Sequence, residues 1–457
     1  MRSSFAALAL FAIAVAPAPT FANPYETRLA NGLRVIVKED RRAPTAVHMV
    51  WYRAGSMDEK DGTSGVAHVL EHLMFKGTKT LKSGEFNKRV AEAGGRDNAF
   101  TSHDYTAYFQ QVPQRALPEM MKLEADRMEN LIVSDEEFSK EIKVVMEERR
   151  LRTDDKPQAL VYESLMSTSF QAHPYRRPIV GWMNDLENMT AADARDWYHR
   201  WYAPNNATLV VVGDVSHQDV FKLAAETYGK NRKHEPLPVR KPQLEPEQTG
   251  IKRVTVKAPA ELPYMVMAWK APKLDDVEKD REPYALEILA GVLDGHAAAR
   301  FSKNLVRGSQ VAQQAGAGYD GTVRGEATFL LDGTPAPGKS MADLEQALRA
   351  EIARIQNEGV SQQELERVKT QLVASQTYKR DSLFAQAMEI GQSEVVGLGW
   401  RSIDRTIEQL RSVTPAEVQE VAKKYLKDDS LTVATLDPQP VADKKPRSAV
   451  PGMRHTN

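Results

Sequence analysis

The sequence predicts an α+β protein of two homologous α/β domains, each a mainly antiparallel sheet with helices packed on it. Three observations lead there. Thr190-Ala191-Ala192-Asp193 opens a capped helix running through Trp197 to Tyr202, followed by the polar turn Pro204-Asn205-Asn206 and an apolar strand from Thr208 to Gly213. About 222 residues later the same order returns: Thr414-Pro415-Ala416-Glu417, a helix through Val421 to Tyr425, a polar turn, and the strand Leu431 to Thr435. Between the copies, Lys230 to Gly250 is charged and carries Pro236, Pro238, Pro242 and Pro246, as a linker does. Near the start, Asn31-Gly32 lies between Thr27-Arg28-Leu29 and Leu33-Arg34-Val35-Ile36-Val37, a strong hairpin signal and hence a sign of antiparallel pairing. The expected organisation is a leader over 1–22, a first domain over 23–235, a linker over 236–250, a second domain over 251–437 and a disordered tail over 438–457.

Composition agrees with two domains. The 457 residues are 42% hydrophobic and 27% charged, too many for one ordinary domain. With 61 basic and 62 acidic residues the formal net charge is −1, so no overall field favours nucleic acid or an anionic membrane. Cysteine is absent, which excludes disulfides, thiolate metal sites and a cysteine nucleophile. At the N-terminus, Arg2, an apolar run from Phe5 to about Ala16 and then Pro17-Ala18-Pro19-Thr20-Phe21-Ala22, whose last three residues suit a cleavage site, read as a secretory signal peptide. The run is too short to span a bilayer comfortably. The expectation is therefore a mature protein in the periplasm or outside the cell, without stable membrane insertion.

Taken in order, the hairpin leads to a strand over Thr45 to Tyr52, in which Val47, Met49 and Trp51 alternate with Ala46, His48 and Val50, and His48 reads as a half-buried strand residue. A helix follows over Thr63 to Gly77, with Thr63 or Ser64 as its expected cap and Gly77 as its expected end. Setting His68 at 0° on that helix puts His72 at about 40° and Glu71 at about −60°, whereas Val66, Val69, Leu70 and Leu73 fall between about 100° and 200°. Two imidazoles four residues apart can hold one zinc ion, and a glutamate beside them can reach the metal's water; the spelling H-x-x-E-H reverses the commoner H-E-x-x-H without moving the carboxylate off the face. A chance five-residue match need not set its polar arc opposite its apolar one, and this helix does.

Further on, Ser83 to Ala93 reads as a helix that Gly94-Gly95 ends, Asn98 to Phe109 as one or two strands, and Pro118 to Asn130 as an amphipathic helix. Ser134 and Glu137 predict a capping box for a helix reaching about Arg152. A zinc ion held by two histidines needs a third protein ligand. With Glu141 at 0°, Glu148 lies at about −20° and Glu147 at about −120°. Glu148 is the best candidate on that face, although spacing does not choose it from all the acids of the chain. In the second half, Tyr284 to Gly291 stands where the repeat places the metal helix but has no His pair, and His296 alone reads as structural.

His68-Val69-Leu70-Glu71-His72 with Gly65-Val66-Ala67 and Leu73-Met74-Phe75-Lys76-Gly77-Thr78, Asn98-Ala99-Phe100-Thr101-Ser102, Val144-Val145-Met146-Glu147-Glu148 and Pro204-Asn205-Asn206 together resemble the pitrilysin/insulinase family of inverted-motif zinc peptidases. The likeness covers nearly all of the mature chain and is closest to half-length members, such as bacterial peptidases and the mitochondrial processing peptidase. It implies zinc, one ion per chain, on His68, His72 and Glu148, with Glu71 as general base and Glu141 supporting. It also implies that Asn98, Ala99 and Phe100 offer a strand edge to an extended peptide. The implied activity is endopeptidase hydrolysis of peptides or unfolded segments; the alternative is a peptide-binding or assembly subunit of the same fold without turnover. Members that complete a site with the second half carry an Arg and a Tyr seven residues apart, where this chain has Val306 and Gln313. The resemblance thus implies a homodimer, or a heterodimer with a homologous chain that supplies the Arg and Tyr.

Overall fold

The computed structural model describes residues 24–233 and 236–441; the expected leader and residues 442–457 lie outside the described residues. In the first half the elements run β1 (Tyr25–Arg28), β2 (Arg34–Glu39), β3 (Thr45–Tyr52), α1 (Val66–Leu73), α2 (Glu85–Glu92), β4 (Arg96–Thr101), β5 (Thr106–Pro113), α3 (Leu117–Asn130), α4 (Asp135–Arg149), α5 (Pro157–Ser169), α6 (Met183–Asn188), α7 (Ala191–Trp201), β6 (Ala207–Gly213) and α8 (His217–Glu226). The second half adds β7 (Lys252–Pro259), β8 (Tyr264–Ala271), α9 (Glu282–Asp294), β9 (Ala312–Tyr319), β10 (Ala327–Pro335), α10 (Met341–Glu358), α11 (Gln362–Lys379), α12 (Leu383–Val396), α13 (Ser402–Ser412), α14 (Pro415–Tyr425) and β11 (Leu431–Gln439). Pro438 and Gln439, in the stretch expected to be tail, close β11 by pairing with Ala258 and Pro259 of β7.

Among the described residues the strands form a six-stranded sheet, β1-β2-β6-β3-β5-β4, and a five-stranded one, β7-β11-β8-β10-β9. Without β1 the two orders correspond strand by strand, and each sheet is antiparallel except for one parallel pair, β2 with β6 and β7 with β11. The repeat is therefore structural, and the α+β class of two such domains holds. The Asn31-Gly32 turn forms as the dipeptide predicts: Gly32 takes φ +92°, β1 pairs with β2 from Tyr25↔Val37 to Arg28↔Arg34, and the Asn31 amide donates to the Tyr228 carbonyl at 2.7 Å.

Period-two alternation in β3 gives it two apolar faces. Ala46, Val50 and Tyr52 join the core under α1, whereas Val47, Met49 and Trp51 join a second cluster with Leu383, Ala387 and Ile390 of α12. A helix from the second half thus covers the back of the first sheet. The favour is returned: Val161 and Leu165 of α5 pack on Val266, Ala268, Ala434 and Leu436 of the second sheet. His48 is correspondingly fully buried rather than half-buried, its ring nitrogens bonded to Gln110 at 2.6 Å and Tyr228 at 2.9 Å.

At the centre of the first contact, a Cβ on Gly391 of α12 would lie 2.0 Å from the Trp51 indole. Only a residue without a side chain fits there. Gly391→Leu is therefore expected to lower the unfolding free energy by more than the ~1–3 kcal/mol usual for overpacking, read as a fall in the denaturant midpoint, with Gly391→Ala intermediate; an unchanged midpoint in both would mean that α12 does not seat on Trp51.

The segment before β7 has no helix or strand yet is tied down. Glu245 accepts from the backbone N–H groups of Gln171, Ala172 and His173 at 2.7–2.9 Å and from Lys270 Nζ at 3.1 Å. Burial opposes its ionisation, but these donors win and hold its carboxyl down at about 2. Arg324 of the β9–β10 connection makes a bidentate pair with the Asp58 carboxylate, whose side chain is 2% exposed, at 2.9 and 3.0 Å. These contacts join the two halves beside the segment that leads into α1.

Candidate metal centre

The helix bearing the His pair is shorter than the sequence suggests and starts differently. It spans Val66–Leu73, and its N-cap is Gly65 in the left-handed region, with no side-chain cap. Ser64 is otherwise engaged, donating from its hydroxyl and its backbone N–H to Asp185 at 2.6 and 3.1 Å. The free N–H groups of Gly65 and Ala67 instead go to the two oxygens of Glu59, both at 2.9 Å. Burial pushes Glu59 up to about 8, against the pull of those donors and of Arg177. A Cβ on Gly65 would meet the Val180 carbonyl at 2.6 Å, so the close approach of the 180–182 segment needs glycine there. Gly77, φ +119°, lies beyond the helix end at Met74.

Helix α4 supplies the carboxylates. Ser134 caps it by accepting from the Glu137 N–H at 3.1 Å, but the Glu137 side chain turns to Lys140 at 2.9 Å instead of completing a box. After Arg149 the helix widens into a π-turn over Arg150–Asp154. Arg149 fixes this end by a bidentate bond to Glu163 of α5 at 2.8 and 2.9 Å. Glu141 and Glu148 are both buried and face α1.

The structure brings His68, His72 and Glu148 together, with one ligand atom from each lying within 4.8 Å of the others. Glu148 Oε2 is 3.3 Å from His72 Nε2 and 3.8 Å from His68 Nε2. Donors about 2.0–2.2 Å from a tetrahedral ion stand about 3.4 Å apart, so the His72–Glu148 separation matches zinc and His68, at 3.8 Å from Glu148, has to close by a few tenths of an ångström. His68 Nε2, at 3.8 Å, is too far from Glu148 for a hydrogen bond, and its Nδ1 is a buried nitrogen without a partner among the described residues. Burial and the neighbouring His72 charge push His68 down to about 3. Burial would also depress His72, but its hydrogen bonds to Glu141 and Glu148 raise it to about 9. Burial works against Glu148 too, and His72, His68 and Arg152 outweigh it, holding the carboxylate at about 2. Glu148 is thus an ionised carboxylate and His68 a neutral imidazole, as a dication needs, whereas His72 shares a proton with Glu141 and Glu148 that metal binding would have to displace.

Around these ligands, His72 Nδ1 faces Glu141 Oε2 at 3.4 Å, and Lys76 Nζ grips the other Glu141 oxygen at 2.7 Å. Glu71 does not join the ligand group. Its Oε2 accepts from Thr101 Oγ1 at 2.6 Å, and burial raises its pKa despite His72 and Thr101. Asn98, Ala99 and Phe100 lie on β4, the last strand of its sheet, which among the described residues is paired on its β5 side alone. The cleft over the site holds about 720 Å³, and its lining residues all fall between His68 and Val180. Val306 instead packs on the second core, and Gln313 is exposed on β9.

Residues 34–182 match the family described as insulinase (peptidase family M16), and residues 188–372 match the peptidase M16 inactive domain. Over 419 residues the chain is 32% identical to the zinc protease PqqE of Helicobacter pylori, covering 90% of this chain and 92% of that one. The chain belongs to the insulinase family, peptidase family M16. An uncharacterised zinc protease of Streptomyces coelicolor, SCO5738, is 26% identical over 88% of this chain and 86% of its own. The crystal structure of a protease from Helicobacter pylori superposes with a TM-score of 0.86 at 30% identity, over 91% of this chain and all of that one. The first half of the periplasmic protease PqqL of Escherichia coli shares the fold alone, with a TM-score of 0.77 at 20% identity over 95% of this chain and all of that one. This M16 chain is therefore a member of a zinc-protease family whose second domain is the inactive type. Sequence reasoning passed over Glu59, Lys76, Thr101 and Arg152. Arg152 stands four residues after Glu148 and could have been found by helix spacing; nothing local in the sequence marks Glu59 as the cap of α1.

Proposed function

We propose that this M16 chain is a zinc endopeptidase that hydrolyses peptides or unfolded protein segments. The observation that carries the reading is that three ligand atoms of His68, His72 and Glu148 converge within 4.8 Å, with Glu71 beside them and the edge strand β4 along the cleft. When bound, a zinc ion supplies Lewis acidity, lowering the pKa of a water and polarising the scissile carbonyl. Glu141, fixed by Lys76, orients His72 and favours the tautomer with its proton on Nδ1. Asn98, Ala99 and Phe100 pair their backbone with an extended peptide. Glu71 takes the proton of the attacking water on Oε1, the oxygen not held by Thr101, and delivers it to the leaving nitrogen as the C–N bond breaks. Water oxygen ends on the carbonyl carbon, so no covalent enzyme intermediate forms.

The reading extends to its setting. The leader over 1–22 would send the chain to the periplasm or outside the cell, and among the described residues no helix is long and apolar enough to cross a membrane. With Val306 and Gln313 where an Arg and a Tyr are expected, the chain acts in a dimer, either with itself or with a homologous chain that brings both groups.

The test is paired. Glu148→Ala should deplete zinc, measured per chain on purified protein, and abolish chelator-sensitive cleavage of a quenched peptide. Glu147→Ala, whose carboxylate pairs with Arg150 at 3.1 Å, should do neither. Equal zinc in both variants would place the third ligand elsewhere, and zinc-loaded protein that cleaves no peptide would favour the assembly-subunit reading.

A further inference from the structure

Each of the two carboxylates nearest the chemistry has one oxygen held by a neighbour. Glu71 Oε2 accepts from Thr101 at 2.6 Å, and no hydrogen bond to its Oε1 is found among the described residues. Glu148 Oε1 takes Arg152 Nη1 at 2.8 Å, while Oε2 faces both His Nε2 atoms. We propose that Thr101 and Arg152 are positioning residues of this site, Thr101 for the base and Arg152 for the metal ligand, each occupying one carboxylate oxygen so that the other alone is turned to the reaction. The inference rests on the zinc endopeptidase reading above.

For Thr101 the argument is about a lever. It is the last residue of β4, the strand whose Asn98, Ala99 and Phe100 line the cleft. The base is thereby tied to the same rigid strand that pairs with the peptide, and the scissile bond and Glu71 Oε1 are registered against one another. A strand holds such a register better than a loop, and a misplacement of about 1 Å can cost about 10² in rate.

For Arg152 the argument is about denticity. A carboxylate free at both oxygens can take an ion through either or both, which changes coordination number and crowds the open position that catalysis needs. A guanidinium on Oε1 removes that choice. A spacing of four residues on a helix often gives no more than a surface pair, as with Lys88 and Glu92, where both side chains are well exposed. Here the acid is 9% exposed although the arginine is 47% exposed, and the arginine sits on the π-turn over Arg150–Asp154 at the rim of the cleft, so its partner rather than the guanidinium is what lies out of solvent.

The two roles separate in one experiment on the full chain. Thr101→Val, close to isosteric, should keep zinc at the parental level and KM unchanged while kcat falls about 10- to 100-fold, and Thr101→Ser should restore kcat. Arg152→Met should weaken zinc binding, read by competition with a chelator, about 10- to 100-fold, and should alter the visible cobalt(II) spectrum of the substituted protein as Glu148 engages through both oxygens; Thr101→Val should leave that spectrum alone. If either variant lacks the parental circular dichroism, Thr101→Ala and Arg152→Gln replace them with the same expected losses. Parental kcat without the Thr101 hydroxyl overturns its role, and parental zinc affinity and spectrum without the guanidinium reduce Arg152 to a surface ion pair. Failure of the endopeptidase reading itself would look different, since parental chain loaded with zinc would then cleave no peptide.

Discussion

Glu71→Gln is expected to cut peptide hydrolysis by about 10²–10⁴-fold while zinc stays near one ion per chain. The reason is division of labour on one helix. His68 and His72 project toward Glu148, whose oxygen they approach to 3.8 and 3.3 Å, whereas the Glu71 carboxylate is held aside by Thr101 and belongs to no ligand group. An amide in its place keeps the shape and the Thr101 hydrogen bond but has no basic oxygen to take a proton. Zinc content by atomic absorption beside kcat on a quenched peptide decides the matter. If the Gln variant loses its zinc, Glu71 is a ligand; if it keeps its rate, the base is another group.

Adding a homologous chain that carries the Arg and Tyr is expected to speed hydrolysis by about 10²–10³-fold, the usual worth of one oxyanion donor. The lone chain lacks such a pair in its second half. Val306 is committed to the second core, Gln313 is exposed, Arg300 is bound to Glu364 at 2.8 and 3.1 Å, and the Tyr319 hydroxyl donates to the Pro272 carbonyl. Among the described residues, those lining the cleft all come from the first half. A guanidinium and a phenol can be supplied across an interface, as arginine fingers are. Rates measured with and without the co-expressed homologue, alongside light scattering, read the outcome. A chain that is monomeric and fast, and that no homologue improves, would remove the need for a partner.

What could be read without coordinates was local or periodic. The His68–His72 spacing, the alignment of Glu141 with Glu148, the Asn31-Gly32 turn and the Thr190 and Thr414 caps all depend on positions within a few residues, where helix geometry and turn chemistry act directly. Both caps form as full capping boxes. Misreadings came where a distant group competes for a local one. Ser64 was free to cap α1 on spacing alone, but Asp185 takes its hydroxyl and Glu59 takes the helix's N–H groups. His48 looked half-buried because one covered sheet face is the usual arrangement, and here the sheet is covered on both.

By itself, then, the sequence determined the repeat, the two-domain α+β class and the motif that carries the metal chemistry, because each is encoded in residue order at short range or in the recurrence of such an order. Only the tertiary structure decided which of the chain's acids meets His68 and His72, which oxygen of each carboxylate is held, and that α5 and α12 each cross to cover the other half's sheet. Those outcomes depend on which surfaces meet. Burial rewards apolar area regardless of where in the chain it comes from, and a buried polar group bonds to whichever partner the packing brings within reach.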